Sequence, residues 1–138
     1  VFRQSLSNQP DLVTLKSEIE FIDYYIKLQK LRFGDAFKVD MKLSLGKYEK
    51  LVLSMGLQTL VENALKHNTL SKQSPLLIKI YTEDDYIWVT NNFQPKKQVP
   101  GGENFGLSSL QKRSKWLQKK DIIIKKTETS FSVGLPLT

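Results

Sequence analysis

Residues 58–68, QTLVENALKHN, bring most of the side chains capable of chemistry into one short stretch. Leu57, Leu60, Val61, Ala64 and Leu65 fall at helical spacing and share one face. Thr59, Glu62, Asn63, Lys66 and His67 are then left to the opposite flank. Asn63 and His67 are four apart, as are Glu62 and Lys66, so each pair is adjacent on a helix surface. An amide oxygen, a carboxylate and two nitrogen groups are expected to converge there. Magnesium prefers hard oxygen ligands and keeps several waters while bridging phosphates, so this patch could serve as a platform for a Mg-triphosphate. A plainer reading stays open: Glu62–Lys66 as a solvated ion pair, and His67 as the cap of a helix end.

Two further stretches carry possible phosphate or base chemistry. Trp88-Val-Thr-Asn-Asn-Phe93 ends an alternating strand on two asparagines, which is also ordinary turn chemistry. Gly101-Gly-Glu-Asn-Phe-Gly-Leu107 opens a helix. Glycines of that kind let backbone amides approach phosphates, and a helix start adds a favourable dipole.

The elements that must position these residues follow from periodicity. Residues 1–13 read as a connector. Leu12, Leu15, Ile19, Ile22, Ile26 and Phe33 form one helical stripe, with Thr14 as N-cap and Gly34 as stop. That stripe fits a helix packed on a sheet, or a dimer seam. Residues 37–45 alternate as a half-buried strand, and Leu51–Leu53 is a short extended piece. Ser54 precedes the helix of the polar patch. Residues 76–82 and 86–91 form a hairpin, and 92–105, with two prolines and two adjacent glycines, a long loop or lid. A helix over 106–117 and strands over 122–124 and 131–137 close the chain. The order fits an α+β, two-layer α/β sandwich with a mixed sheet of about five strands and helices on one face.

Composition narrows the chemistry further. At 138 residues the chain is one domain with room for a core. The absence of cysteine excludes disulfides, thiolate metal sites and cysteine nucleophiles. No apolar run approaches the ~20 residues needed to cross a bilayer. The net charge of +7 favours anionic partners, but its lysines are scattered rather than striped, so no nucleic-acid partner is expected. The chain starts at Val1 without a methionine, as a piece of something longer would.

QTLVENALKHN resembles the N box of the GHKL (HATPase_c) ATPases, in the form found in LytS/YehU-type sensor histidine kinases of bacterial two-component systems. The resemblance implies a Bergerat-type fold and ATP with Mg2+ as ligands. It assigns magnesium to Asn63, orientation of the reacting phosphate or its water to Glu62, and a place near the phosphates to Lys66 and His67. Glu62 and Lys66 are thus the implied catalytic groups. Thr59 stands where the family usually has proline. At the adenine-binding turn Asn91 stands in place of the family's aspartate and Phe93 in place of its glycine. An amide oxygen can still accept from the adenine amino group, at a loss of about 1 kcal/mol. The family's G-x-G-I-G-L box is met by Gly102, Asn104, Phe105, Gly106 and Leu107, with Asn104 at its middle glycine. Ser109 replaces an expected asparagine and Arg113 matches an expected arginine.

Residues 15–33 (LKSEIEFIDYYIKLQKLRF) are similar to the family's helix leading from the dimerisation domain. The implied division is therefore a linker helix over 1–34 and an ATP-binding domain over 35–138. The family's phosphoacceptor histidine, beside a Phe-Leu-Phe-Asn motif, has no counterpart here; His67 is the only histidine. The resemblance thus implies a catalytic fragment not competent to phosphorylate itself on histidine. It also implies a homodimeric, inner-membrane parent protein with this domain in the cytoplasm, and a response regulator, of LytTR type, as partner. The altered adenine turn and glycine box leave an alternative: a degenerate module that serves as an interaction domain.

Overall fold

Thr14 starts the first helix as expected: its side chain accepts from Ser17 N at 3.2 Å. Gly34 ends it with φ of 57°, a left-handed conformation that glycine adopts without a Cβ penalty. Between them runs α1 (Leu15–Phe33), preceded by a short strand β1 (Leu12–Thr14). The computed structural model describes residues 11–97 and 105–138. The chain continues through β2 (Phe37–Lys42), β3 (Leu51–Leu53), α2 (Gly56–His67), β4 (Leu76–Glu83) and β5 (Tyr86–Asn92). It closes with α3 (Phe105–Leu117), β6 (Ile123–Lys126) and β7 (Ser130–Pro136).

Five strands form one mixed sheet in the order β2-β4-β5-β7-β6, with β2 parallel to β4 and the other pairs antiparallel. Period-two alternation sorts its faces. Phe37, Ile78, Ile80, Ile87, Val89, Val133 and Leu135 turn inward and are buried with Leu15, Ile22 and Ile26 of α1, the apolar stripe of α2, and Leu107 and Leu110 of α3. Lys38, Asp40, Leu77 and Lys79, on the opposite face, are exposed. This is the α+β fold with helices on one face of a five-stranded sheet. The expected apolar stripe of α1 packs into that core rather than forming a free seam, so α1 shares one core with the rest. A second set on its outer side, Phe21, Tyr24, Leu28 and Leu31, is exposed.

Some boundaries differ. Residues 11–14 are partly extended: β1 pairs with β3, Leu12 opposite Leu53, in a separate two-stranded ribbon. Residues after Lys42 leave the sheet, and Ser44 N donates to the Thr82 hydroxyl. Met55 stands between Ser54 and α2 at the N-cap position, in the left-handed region at φ 64° and with no side-chain cap hydrogen bond. The hairpin of β4 and β5 turns on Asp84 and Asp85, both at positive φ, a twist that matches that of the strands.

Candidate functional site

A cavity of about 360 Å³ opens between α2, the inner face of β5, β7 and β6, and the segment after β5. That volume lies in the range of small-molecule sites. Helix α2 presents Leu60, Asn63, Ala64 and His67 to it. Strand β5 adds Val89 and Asn91, and Leu107 closes the side where α3 begins. The floor is Phe131 and Val133 of β7 with Ile124 and Lys126 of β6.

Packing on the sheet decides which flank of α2 faces this space. Asn63 and His67, one turn apart, follow the apolar stripe to the cavity. Glu62 and Lys66 are rotated away by about 100° each, are exposed, and do not line it. The five polar residues therefore do not converge on one patch, because a helix has only one side toward the sheet. Glu62 instead lies near Tyr25 of α1, where its charge, after burial, helps raise the phenol above its usual range. Thr59 turns its hydroxyl to Met55 O at 2.9 Å.

Gly106 ties the two helices together at this point. A Cβ built on it would stand 2.9 Å from Thr59 Cγ2, 3.6 Å from Asn63 Nδ2 and 3.7 Å from Asn63 Oδ1. The approach too close for a Cβ is to Thr59, while Asn63 would be met at ordinary contact distance. Arg113, two turns further along α3, does not line the cavity: its Nη2 donates to Ser54 O at 3.0 Å. Gly102 and Asn104 lie outside the described residues.

Asn91 is buried, 3% exposed, at the end of the inward phase of β5. Its Nδ2 donates to Asn92 O at 2.8 Å, which leaves Oδ1 as its acceptor. Asn91 and Asn92 both remain in the strand rather than forming a turn; Asn92 Oδ1 accepts from Leu77 N at 2.6 Å. Beyond them, the first part of the expected lid is docked. Asn68, at the end of α2, donates from Nδ2 to Ala64 O and accepts on Oδ1 from Gln94 N, both at 2.9 Å. Thr69 N to Gln94 O and Lys96 N to His67 O complete the clasp.

The charged groups lining the cavity are basic. Lys96 and Lys126 stand at its edge with His67. Burial, then Lys66 and Lys96, holds the His67 imidazole below its ordinary value of 6.5, so it is neutral at pH 7. Lys126 lies over the Phe93 ring, 5.0 Å from its centroid, and Phe93 stacks on Phe131 at 6.4 Å. An apolar chamber with two lysines and three amide side chains suits a flat ring joined to an anion. Among the described residues no group of three or more His, Asp or Glu side chains comes together, so a cation here would depend on Asn63 and on oxygens brought by a ligand. Lys96, Lys126, Phe131 and Asn68 were not among the sequence-derived site residues. The alternation Ile124, Lys126 in phase with the inward face of β7 was the available signal for Lys126.

Residues 1–37 match the family model described as histidine kinase. Sensor histidine kinase BtsS of Escherichia coli is 34% identical over 68 residues, 49% of this chain and 12% of that protein. These likenesses to histidine kinases cover parts of the chain, residues 1–37 for the family model and 49% of the chain for BtsS. The fold agrees. The cytoplasmic segment of histidine kinase QseC superposes with a TM-score of 0.61 at 16% identity, covering 96% of this chain and 82% of that one. The catalytic domain of histidine kinase ThkA superposes with a TM-score of 0.59 at 18% identity, covering 91% and 93%. The chain spans only a small part, 12%, of the BtsS sequence. Among the described residues no helix is long and apolar enough to cross a membrane.

Proposed function

We propose that this chain is the ATP-binding catalytic domain of a LytS/YehU-type sensor histidine kinase. The observation that carries the reading is the shared cavity of Asn63, His67 and Asn91, with Gly106 packed beside Thr59 and Asn63. In it the adenine ring lies in the apolar chamber, and its amino group donates to Asn91 Oδ1, the acceptor left by the Asn91–Asn92 bond. The phosphates run toward Asn63, where the backbone amides at the start of α3 and the side chains of Lys96, Lys126 and His67 offset their charge. Asn63 would supply to Mg2+ the one hard side-chain oxygen that α2 presents to the cavity, and that ion would neutralise charge developing on the transferred phosphoryl group.

Glu62 and Lys66 are exposed and off the cavity wall, and on this reading they would act with phosphate or a partner domain at the cavity mouth. Arg113 holds the chain just before α2 through Ser54 O, and a phosphate-binding part for Gly102 and Asn104 rests on the resemblance alone. The phosphoryl group is passed to a histidine on a dimerisation domain, and from there to an aspartate of a response regulator, of LytTR type. The parent protein is then a homodimer of the inner membrane, with this domain in the cytoplasm.

Calorimetric titration with Mg-ATP tests the reading. Binding in the micromolar to millimolar range, lost in Asn63→Ala or on replacing Mg2+ with EDTA, supports it. No heat at millimolar nucleotide refutes it and favours the degenerate interaction module, for which Asn91 in place of an aspartate is the supporting observation.

A further inference from the structure

We propose that Glu18 of α1, with Arg113 of α3, is a positioning residue for Asn63: the pair sets the start of α2, and so how Asn63 meets the cavity. This rests on the nucleotide reading above. Glu18 sits on a helix whose sequence neighbours Ser17 and Glu20 are exposed, yet it is only 4% exposed itself. A carboxylate buried that far needs donors. It finds one in the first turn of α2, where Leu57 N donates to Oε1 at 3.2 Å, and the neighbouring amides of Met55 and Gly56 also favour its ionised form.

Those amides have no local cap, since Met55 makes no side-chain cap bond. The helix that carries Asn63 is therefore capped by a residue 39 positions earlier in the chain, on another helix. Arg113 secures the same corner from the third side. Its guanidinium holds Ser54 O, one residue before Met55, and its charge favours the ionised form of Glu18 against the burial that opposes it. Asn63 is six residues past Leu57, about 9 Å along a rigid helix. Helix α3 touches α2 at both ends of that span, through Arg113 near Ser54 and through Gly106 at Asn63. A shift of α1 along its axis would thus move the α2 start, and with it the Asn63 side chain against Gly106.

The test compares wild type, Glu18→Gln, Glu18→Ala and the exposed control Glu20→Ala, with amide exchange, side-chain amide NMR of Asn63 and calorimetry with Mg-ATP. Loss of a helix cap corresponds to about five- to tenfold more frequent local opening, so Glu18→Ala is expected to speed exchange at residues 57–60 by that factor. Mg-ATP affinity should fall by a similar factor. Glu18→Gln, which can still accept from Leu57 N, should lie between, and Glu20→Ala should match wild type. Glu18→Ala that binds Mg-ATP like wild type, or a displaced affinity in Glu20→Ala, overturns the proposal. If Glu18→Ala does not fold, Glu18→Gln decides: unmoved Asn63 side-chain resonances and unchanged exchange at residues 57–60 overturn it. If wild type itself fails to bind Mg-ATP, the nucleotide reading falls, and the Asn63 resonances and exchange rates in Glu18→Gln still decide whether Glu18 positions Asn63.

Discussion

Substituting Gly106 by alanine probes the junction of α2 and α3 at its tightest point. The added methyl would stand 2.9 Å from Thr59 Cγ2, closer than carbon atoms pack, and in ordinary contact with Asn63. Thr59 cannot simply turn aside, because its hydroxyl is held by Met55 O at 2.9 Å. Overpacking of this kind costs about 1–3 kcal/mol, whereas exchanging glycine for alanine in a helix returns about 0.5–1 kcal/mol. The net expectation is a loss of about 0–2.5 kcal/mol, small enough to leave the domain folded. The relief available is for α3 to move away from α2 by a few tenths of an ångström, which displaces Asn63 and weakens Mg-ATP binding. Thr59→Ser removes the clashing methyl and keeps the hydroxyl, so Gly106→Ala/Thr59→Ser should recover most of both losses. Urea unfolding with parallel Mg-ATP titrations gives the double-mutant cycle. An alanine variant more stable than wild type with unchanged binding, or additive effects in the double variant, would refute the packing argument.

Three other outcomes follow from the same geometry. The His67 imidazole resists protonation through burial and through Lys66 and Lys96, so its contribution to stability is present above pH 6.5 and is lost as pH falls through its lowered value. A triphosphate in the cavity should reverse that and raise its titration midpoint, read by NMR of the ring protons; a midpoint indifferent to Mg-ATP removes the phosphates from this end of the cavity. Asn68→Ala leaves Gln94 N and Ala64 O without their partners and should cost about 1–3 kcal/mol, with faster exchange at Gln94; an unchanged urea midpoint would contradict the clasp. Glu18 is held above its ordinary 4.5 mainly by burial, so the folded state binds its proton more tightly than the unfolded one. Its stability contribution is full below pH 4.5 and lost as pH rises through the raised value, and Glu18→Gln should flatten that part of the stability–pH curve.

Much of the site was legible in one dimension because the relevant spacings are local. Asn63 and His67 are one helical turn apart, so any packing that turns one to the cavity turns the other with it. Asn91 keeps the inward phase of Ile87 and Val89, which places it on the core side of β5 without knowledge of the neighbours. Glu62 and Lys66 were harder, since both flanks of an amphipathic helix carry polar residues and only the sheet selects one. Arg113 matches an expected arginine by its position in the glycine-box helix, yet its guanidinium reaches Ser54 O, 59 positions away. Nothing in the spacing of α1 distinguishes Glu18 from a solvated acid, because its partner amides lie in α2.

By itself the sequence determined most of the element types, the inward residues of the main strands and the glycine needed at Gly34, consequences of backbone sterics and of periods 3.6 and 2. It also determined the pairing of Asn63 with His67. Only the tertiary structure decided which flank of α2 meets the cavity, that Lys96 and Lys126 join it, and that Glu18 caps the helix bearing Asn63. Those outcomes depend on contacts between elements far apart in the chain, where burial makes each carboxylate and amide find whatever partner the packed neighbours present.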